Sequence, residues 1–82
     1  MVIYVSSVEP KENYNLLVTF ENGEKRLCDC SGLLDKSVYK PLKNKAFFDS
    51  VKTEFGTVVW NGQIDIAPEY LYEHGVCVLL WD

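Results

Sequence analysis

The chain has 82 residues, of which 48% are hydrophobic, 13% aromatic and 24% charged, a composition that fits one ordinary folded domain and leaves no room for a second core. That balance excludes a disordered, collagen-like or low-complexity sequence. Eight Lys and Arg against twelve Asp and Glu give a formal charge of −4, a poor match for broad attraction to nucleic acid or anionic lipid.

Taken in chain order, Val2 to Val8 is rich in β-branched and aromatic residues and reads as a strand stopped at Glu9-Pro10. After a polar turn at Lys11-Glu12-Asn13, Leu16, Val18 and Phe20 alternate with Asn15, Leu17 and Thr19, which predicts a second strand with one apolar face. Asn22-Gly23 then signals a hairpin, because a type I′ turn needs positive φ at both central residues. The third strand, Lys25 to Cys30, sets Arg26, Cys28 and Cys30 on one face and Lys25, Leu27 and Asp29 on the other. From Leu33 to Leu42 the apolar pattern is broken by Pro41 and scattered lysines, which predicts one or two helical turns beneath the sheet.

Asn44 reads as the N-cap of the main helix, with Phe47, Phe48, Val51 and Phe55 at helical spacing on its inward face and Gly56 as its stop. Thr57 to Trp60 and Gln63 to Ile66 flank a second hairpin signal, Asn61-Gly62. Pro68 suits the first position of a short helix carrying Tyr70, Leu71 and Tyr72 and ending at His74-Gly75. The expected fold is a single α+β domain over 1–82, a small curled antiparallel sheet built on two Asn-Gly hairpins with one main amphipathic helix and short helical turns. The apolar run from Val76 to Trp81 is expected to form an edge strand or to pair with another chain, since left open it would be an aggregation hazard.

The chemistry-bearing residues are few. Cys28, Cys30, His74 and Cys77 are all types that zinc accepts, but Cys-x-Cys on a strand lacks the tight-turn spacing of a structural knuckle, and buried cysteine behaves as a small hydrophobe. The reading favours core cysteines, with a thiol or metal site on Cys28, Cys30 and Cys77 as the alternative. His74 is placed to cap a helix C-terminus. The glycines are isolated, so no phosphate-cradling loop is present, and no nucleophile motif accompanies the single histidine. No catalytic residue, cofactor or metal is expected.

Charge is unevenly distributed: residues 1–52 carry every Lys and Arg, whereas residues 53–82 carry only acids. The lysines Lys36, Lys40, Lys43, Lys45 and Lys52 read as a solvated face, or as a weak nucleic-acid contact over residues 36–52, although Phe47 and Phe48 fall on the core side and do not interleave with them. No stretch approaches eighteen apolar residues, and the N-terminal residues show no secretory pattern; with an odd cysteine count, the expected location is the cytoplasm.

The order Tyr14-x-Leu16-x-Val18-x-Phe20-x-Asn22-Gly23-Glu24, Asp29 with Leu33-Leu34, Leu42 with Phe47 and Val51, then Gly56-Thr57-Val58-Val59-Trp60 and Asp65-Ile66-Ala67-Pro68-Glu69-x-Leu71-Tyr72 resembles, from Val8 through Tyr72, a small bacterial domain-of-unknown-function family, DUF2442. The resemblance implies an α+β fold with a curled antiparallel sheet, similar to the N-terminal half of a two-part helix-turn-helix regulator. It implies no enzymatic activity. Members stand alone or fused to a helix-turn-helix, and the stand-alone ones look like partners of operon neighbours in a setting similar to toxin and antitoxin pairs. Cys28 and Cys30 depart from bulkier apolar residues in the family. The expected function is therefore a non-enzymatic protein-interaction domain, an adaptor or antitoxin-like partner, with Trp60, Tyr70, Tyr72, Val78, Leu80 and Trp81 as candidate contacts, core packing as the favoured reading of Trp60 and Tyr72, and a homodimer through the tail as one arrangement.

Overall fold

A computed structural model of the chain describes residues 3–77; the predicted contacts Val78, Leu80 and Trp81 and the rest of the tail lie outside the described residues. The fold is α+β. Strands β1 (Val5–Lys11), β2 (Asn15–Phe20) and β3 (Lys25–Asp29) form an antiparallel meander that β7 (Val76–Cys77) extends on the far side of β3. A second antiparallel sheet holds β4 (Lys52–Glu54), β5 (Thr57–Trp60) and β6 (Ile64–Ile66). Three 3-10 turns (Glu12–Tyr14, Ser31–Leu33, Ser37–Lys43) and two α-helices, α1 (Lys45–Phe48) and α2 (Pro68–His74), connect them.

Period-two alternation fixes the first sheet's inner face. Leu16, Val18 and Phe20 of β2 are wholly or almost wholly buried, and register puts Cys28 beside Leu16 and Arg26 beside Val18 on that same face. Val58, Trp60 and Ile66 of the second sheet close the core from the other side, with Leu42, Phe48 and Leu71 between. The sheets meet where the Val5 N–H donates to the Gly56 carbonyl at 2.8 Å.

Several sequence expectations are corrected. The single curled sheet is two sheets. β1 does not stop at Pro10 but runs to Lys11, with Pro10 opposite Leu16; it is the outermost strand of its sheet, where a missing N–H costs no ladder bond. The Asn22-Gly23 turn has positive φ only at Gly23 (92°), while the Asn22 side chain accepts from the Glu24 N–H at 3.0 Å. The full type I′ pattern appears instead at Asn61-Gly62, with φ of 54° and 68°.

The largest correction is the main helix. Asn44 does cap α1, accepting from the Phe47 N–H at 3.2 Å, but the helix ends after four residues. The Ser50 hydroxyl bonds back to the Phe47 carbonyl at 2.6 Å, and the following residues pair as a strand, Thr53 opposite Val58. A helix from Lys45 to Phe55 would be marginal alone, and β-branched Val51 and Thr53 favour the ladder with β5.

Helix α2 starts as expected with Pro68 in its first turn, and its end is unusually crowded. A Cβ on Gly75 would lie 2.7 Å from the Leu71 carbonyl oxygen and 2.8 Å from both Arg26 Cβ and Cys28 Sγ. Gly75→Ala is therefore expected to lose about 1–3 kcal/mol in urea unfolding. Gly32→Ala, at a position with open space, serves as the control and should be close to neutral.

Candidate functional site

The β4–β5 hairpin turns on two residues, Phe55 and Gly56, between the paired Glu54 and Thr57. Both have positive φ, 53° and 76°, the pattern of a type I′ turn. Glycine tolerates this at position 56, where it is also required sterically: a Cβ there would collide with the Tyr4 ring. Phenylalanine at position 55 is different. A left-handed backbone costs an ordinary L-residue roughly 1–2 kcal/mol, and Phe has no short polar side chain to offset it. The ring that incurs this cost gains no burial, being 95% exposed. Tyr4, 45% exposed, packs its ring across Gly56 beside it.

This aromatic tip is flanked by acids. Glu54 precedes Phe55, and the Glu21 N–H donates to the Tyr4 carbonyl at 2.9 Å, which sets Glu21 on the other flank. An open polar groove of about 410 Å³, lined by Phe47, Ser50, Lys52, Glu54, Asn61 and Gly62, runs from Glu54 toward the Asn61-Gly62 turn at the other end of β5.

The predicted contacts among the described residues, Trp60, Tyr70 and Tyr72, do not gather here. Trp60 is a core residue with no exposed surface: its indole N–H donates to the Phe48 carbonyl at 2.9 Å and its ring tilts against Phe48 at 5.8 Å, so it is unavailable as a surface anchor. Tyr72 is half-buried, edge-on to Phe20 at 5.1 Å and beneath the Arg26 guanidinium at 3.9 Å. Tyr70 is half-buried, stacks on His74 at 4.0 Å, and lines a small 200 Å³ hollow with Leu33, Lys36, Tyr39, Ile66 and Ala67. Phe55 was missed because its spacing from Phe47, Phe48 and Val51 is helical. The signal that could have found it is Phe-Gly between the short β-like runs Lys52-Thr53-Glu54 and Thr57-Val58-Val59.

Cys28 and Cys30 are buried, and their thiols donate to the carbonyls of Leu71 (3.3 Å) and Cys28 (3.8 Å) respectively. Burial pushes Cys28 up to about 11 and Cys30 up to about 12. His74, the last residue of α2, is exposed with Nδ1 3.0 Å from the Tyr70 carbonyl. Among the described residues no three of His, Cys, Asp and Glu are grouped so as to hold a metal ion. In the lysine segment, Lys36, Lys40, Lys43 and Lys52 are exposed, and Lys45 pairs with Asp49 at 2.5 Å while Phe48 is buried in the core. No helix among the described residues is long and apolar enough to cross a membrane.

The family model described as "Protein of unknown function (DUF2442)" matches residues 5–76, somewhat more of the chain than the sequence motifs alone outline. The chain belongs to the DUF2442 family. Neither a search of curated proteins nor one of solved structures finds a match. For this DUF2442 domain the aromatic hairpin tip thus rests on its own geometry.

The raised thiols have a consequence for stability. Both keep their protons in the folded state at pH values where the unfolded chain, with cysteines near the usual 9.0, releases them. Their contribution is fully present below pH 9 and is lost as pH rises through about 11 and 12. Denaturant midpoints should therefore fall above pH 9, and the fall should be shallower in Cys28→Ala, measured against the wild type across the same series. At pH 8 in a Cys77→Ser background, a thiol reagent should label the folded protein only at the rate of unfolding.

Proposed function

We propose that this domain is a non-enzymatic protein-binding module, an antitoxin-like regulatory partner of a protein encoded beside it, and that it docks through the Phe55 hairpin tip. The observation that carries this reading is a large aromatic held in a left-handed turn with almost its whole surface in water. Folding gains nothing from that arrangement. A ring presented on a two-residue turn, with Tyr4 beside it, is the geometry of an anchor that enters a partner's apolar pocket. The flanking Glu21 and Glu54 fit a pocket with a basic rim, and the chain's net charge of −4 has the sign that draws such a partner in. The cytoplasm, where an operon neighbour is made, is the compartment this reading requires.

Phe55→Asn separates an anchor from a structural residue. Asn-Gly is the preferred pair for this turn, so the variant is expected to be more stable by about 1 kcal/mol in chemical denaturation. Its affinity for the purified product of the adjacent reading frame, measured by calorimetry, is expected to fall by about 30-fold or more. Unchanged affinity, or a wild type that binds no neighbouring product, would refute the proposal.

A further inference from the structure

The outer face of the first sheet carries a second pattern, independent of the hairpin tip. Register places Glu9 opposite Leu17, Leu17 opposite Leu27, and Leu27 opposite Val76, so one row across all four strands is apolar from β2 to the edge. To one side of it runs the row Lys11, Asn15, Asp29; to the other, Ser7, Thr19, Lys25. None of these residues is buried: Leu17 and Leu27 are half-exposed and Val76 is 68% exposed. Apolar side chains on a strand's solvent face, aligned rather than scattered, mark a face that another surface covers.

The charges say which surface. A two-fold axis lying along the apolar row sets Leu17, Leu27 and Val76 each against its own counterpart. The same rotation exchanges the two flanking rows. On β3 it brings Asp29 of each copy against Lys25 of the other, on β2 Asn15 against Thr19, and on β1 Lys11 against Ser7. Of the charged residues only Glu9 would meet its own copy, at the outer end of the row, where Lys11 already neutralises it at 2.7 Å. A face whose opposite charges sit symmetrically about its apolar row is complementary to itself.

We propose that this sheet face is a homodimer interface, occupied by a second copy of this chain packed sheet to sheet about that axis. Three strands of about five residues at ~3.3 Å rise, with two-residue β7 beside them at ~4.8 Å spacing, give a footprint of at most roughly 19 by 16 Å, that of a weak, reversible dimer rather than an obligate one. The interface is separate from Phe55, and both can be occupied together.

Sedimentation velocity of the full chain over a concentration series tests it. The wild type is expected to show a monomer–dimer equilibrium, and Leu27→Glu to weaken it by at least about tenfold with an unchanged circular dichroism spectrum. Lys25→Asp should weaken dimerisation by setting like charges together, and adding Asp29→Lys should restore it; Phe55→Asn should leave it unchanged. A wild type that stays monomeric up to its solubility limit would overturn the proposal, and so would a dimer indifferent to Leu27→Glu. A dimer that Lys25→Asp weakens but Asp29→Lys fails to restore, in a double variant that remains folded, would overturn the two-fold arrangement.

Discussion

Arg26 is the residue on which the arrangement of the first sheet and α2 depends. It occupies a core-facing position in β3, beside Val18, where strand alternation calls for an apolar side chain. Its guanidinium instead crosses to the C-terminal end of α2 and donates to the carbonyls of Tyr72 at 3.0 Å and Gly75 at 3.3 Å. These are carbonyls that a helix end leaves without partners, and the negative pole of the helix favours a cation there. Glu24, the residue before β3, accepts from the other guanidinium nitrogen at 3.2 Å, and the Tyr72 ring lies against the guanidinium face. Hydrogen bonds from Tyr72 and Asn22 hold the Glu24 carboxyl below its usual range, so it stays charged opposite Arg26.

The latch has a cost and a consequence. Arg26 Nε is buried without a partner, a loss of about 1–3 kcal/mol that the charged bonds and the cation–π contact must offset. The consequence is positional. With α2 anchored over β3 and Gly75 packed without a side chain against Cys28, the chain leaves the helix directly onto the β3 edge, where Val76 pairs with Leu27. An inward-facing arginine thereby determines what stands on the outer face of the same sheet. Without it, the apolar row would end at Leu27 and lose its most exposed member.

Much of this fold was legible in the sequence because its signals are local. The alternation from Leu16 to Phe20, the Asn61-Gly62 turn, the Asn44 cap and Pro68 at the start of α2 each follow from the backbone preferences of a few adjacent residues. Where the reading failed, two periods competed over one short stretch. Phe47, Phe48, Val51 and Phe55 satisfy a helix, yet Lys52 to Glu54 is too short to announce itself as a strand, and only pairing with β5 decides the matter. The error carried straight into the site: a residue placed inward on a helix is the most exposed large apolar side chain described. Trp60 was open both ways, and the structure takes the core reading. A tryptophan suits an interface or a core equally well in sequence, and the choice is made by whether its N–H finds a buried acceptor, here the Phe48 carbonyl from a helix that precedes it by a whole strand.

The candidate surfaces differ in how their exposure is enforced, and that bears on how specific each can be. On the sheet face, exposure of Leu17 and Leu27 is the by-product of register: with Leu16, Val18 and Phe20 committed inward, the intervening positions must point out, and only their identity was open to choice. An apolar choice there is weakly directional, so the flanking Lys25 and Asp29 have to supply orientation. At the hairpin tip the backbone itself supplies it. Gly56 lies against Tyr4 and is bonded to Val5, which fixes the turn to the first sheet, and a two-residue loop leaves Phe55 little conformational freedom to lose when it is bound. A pre-ordered single ring can discriminate between partners by pocket shape, whereas a flat apolar row recognises best the one surface whose charges mirror its own.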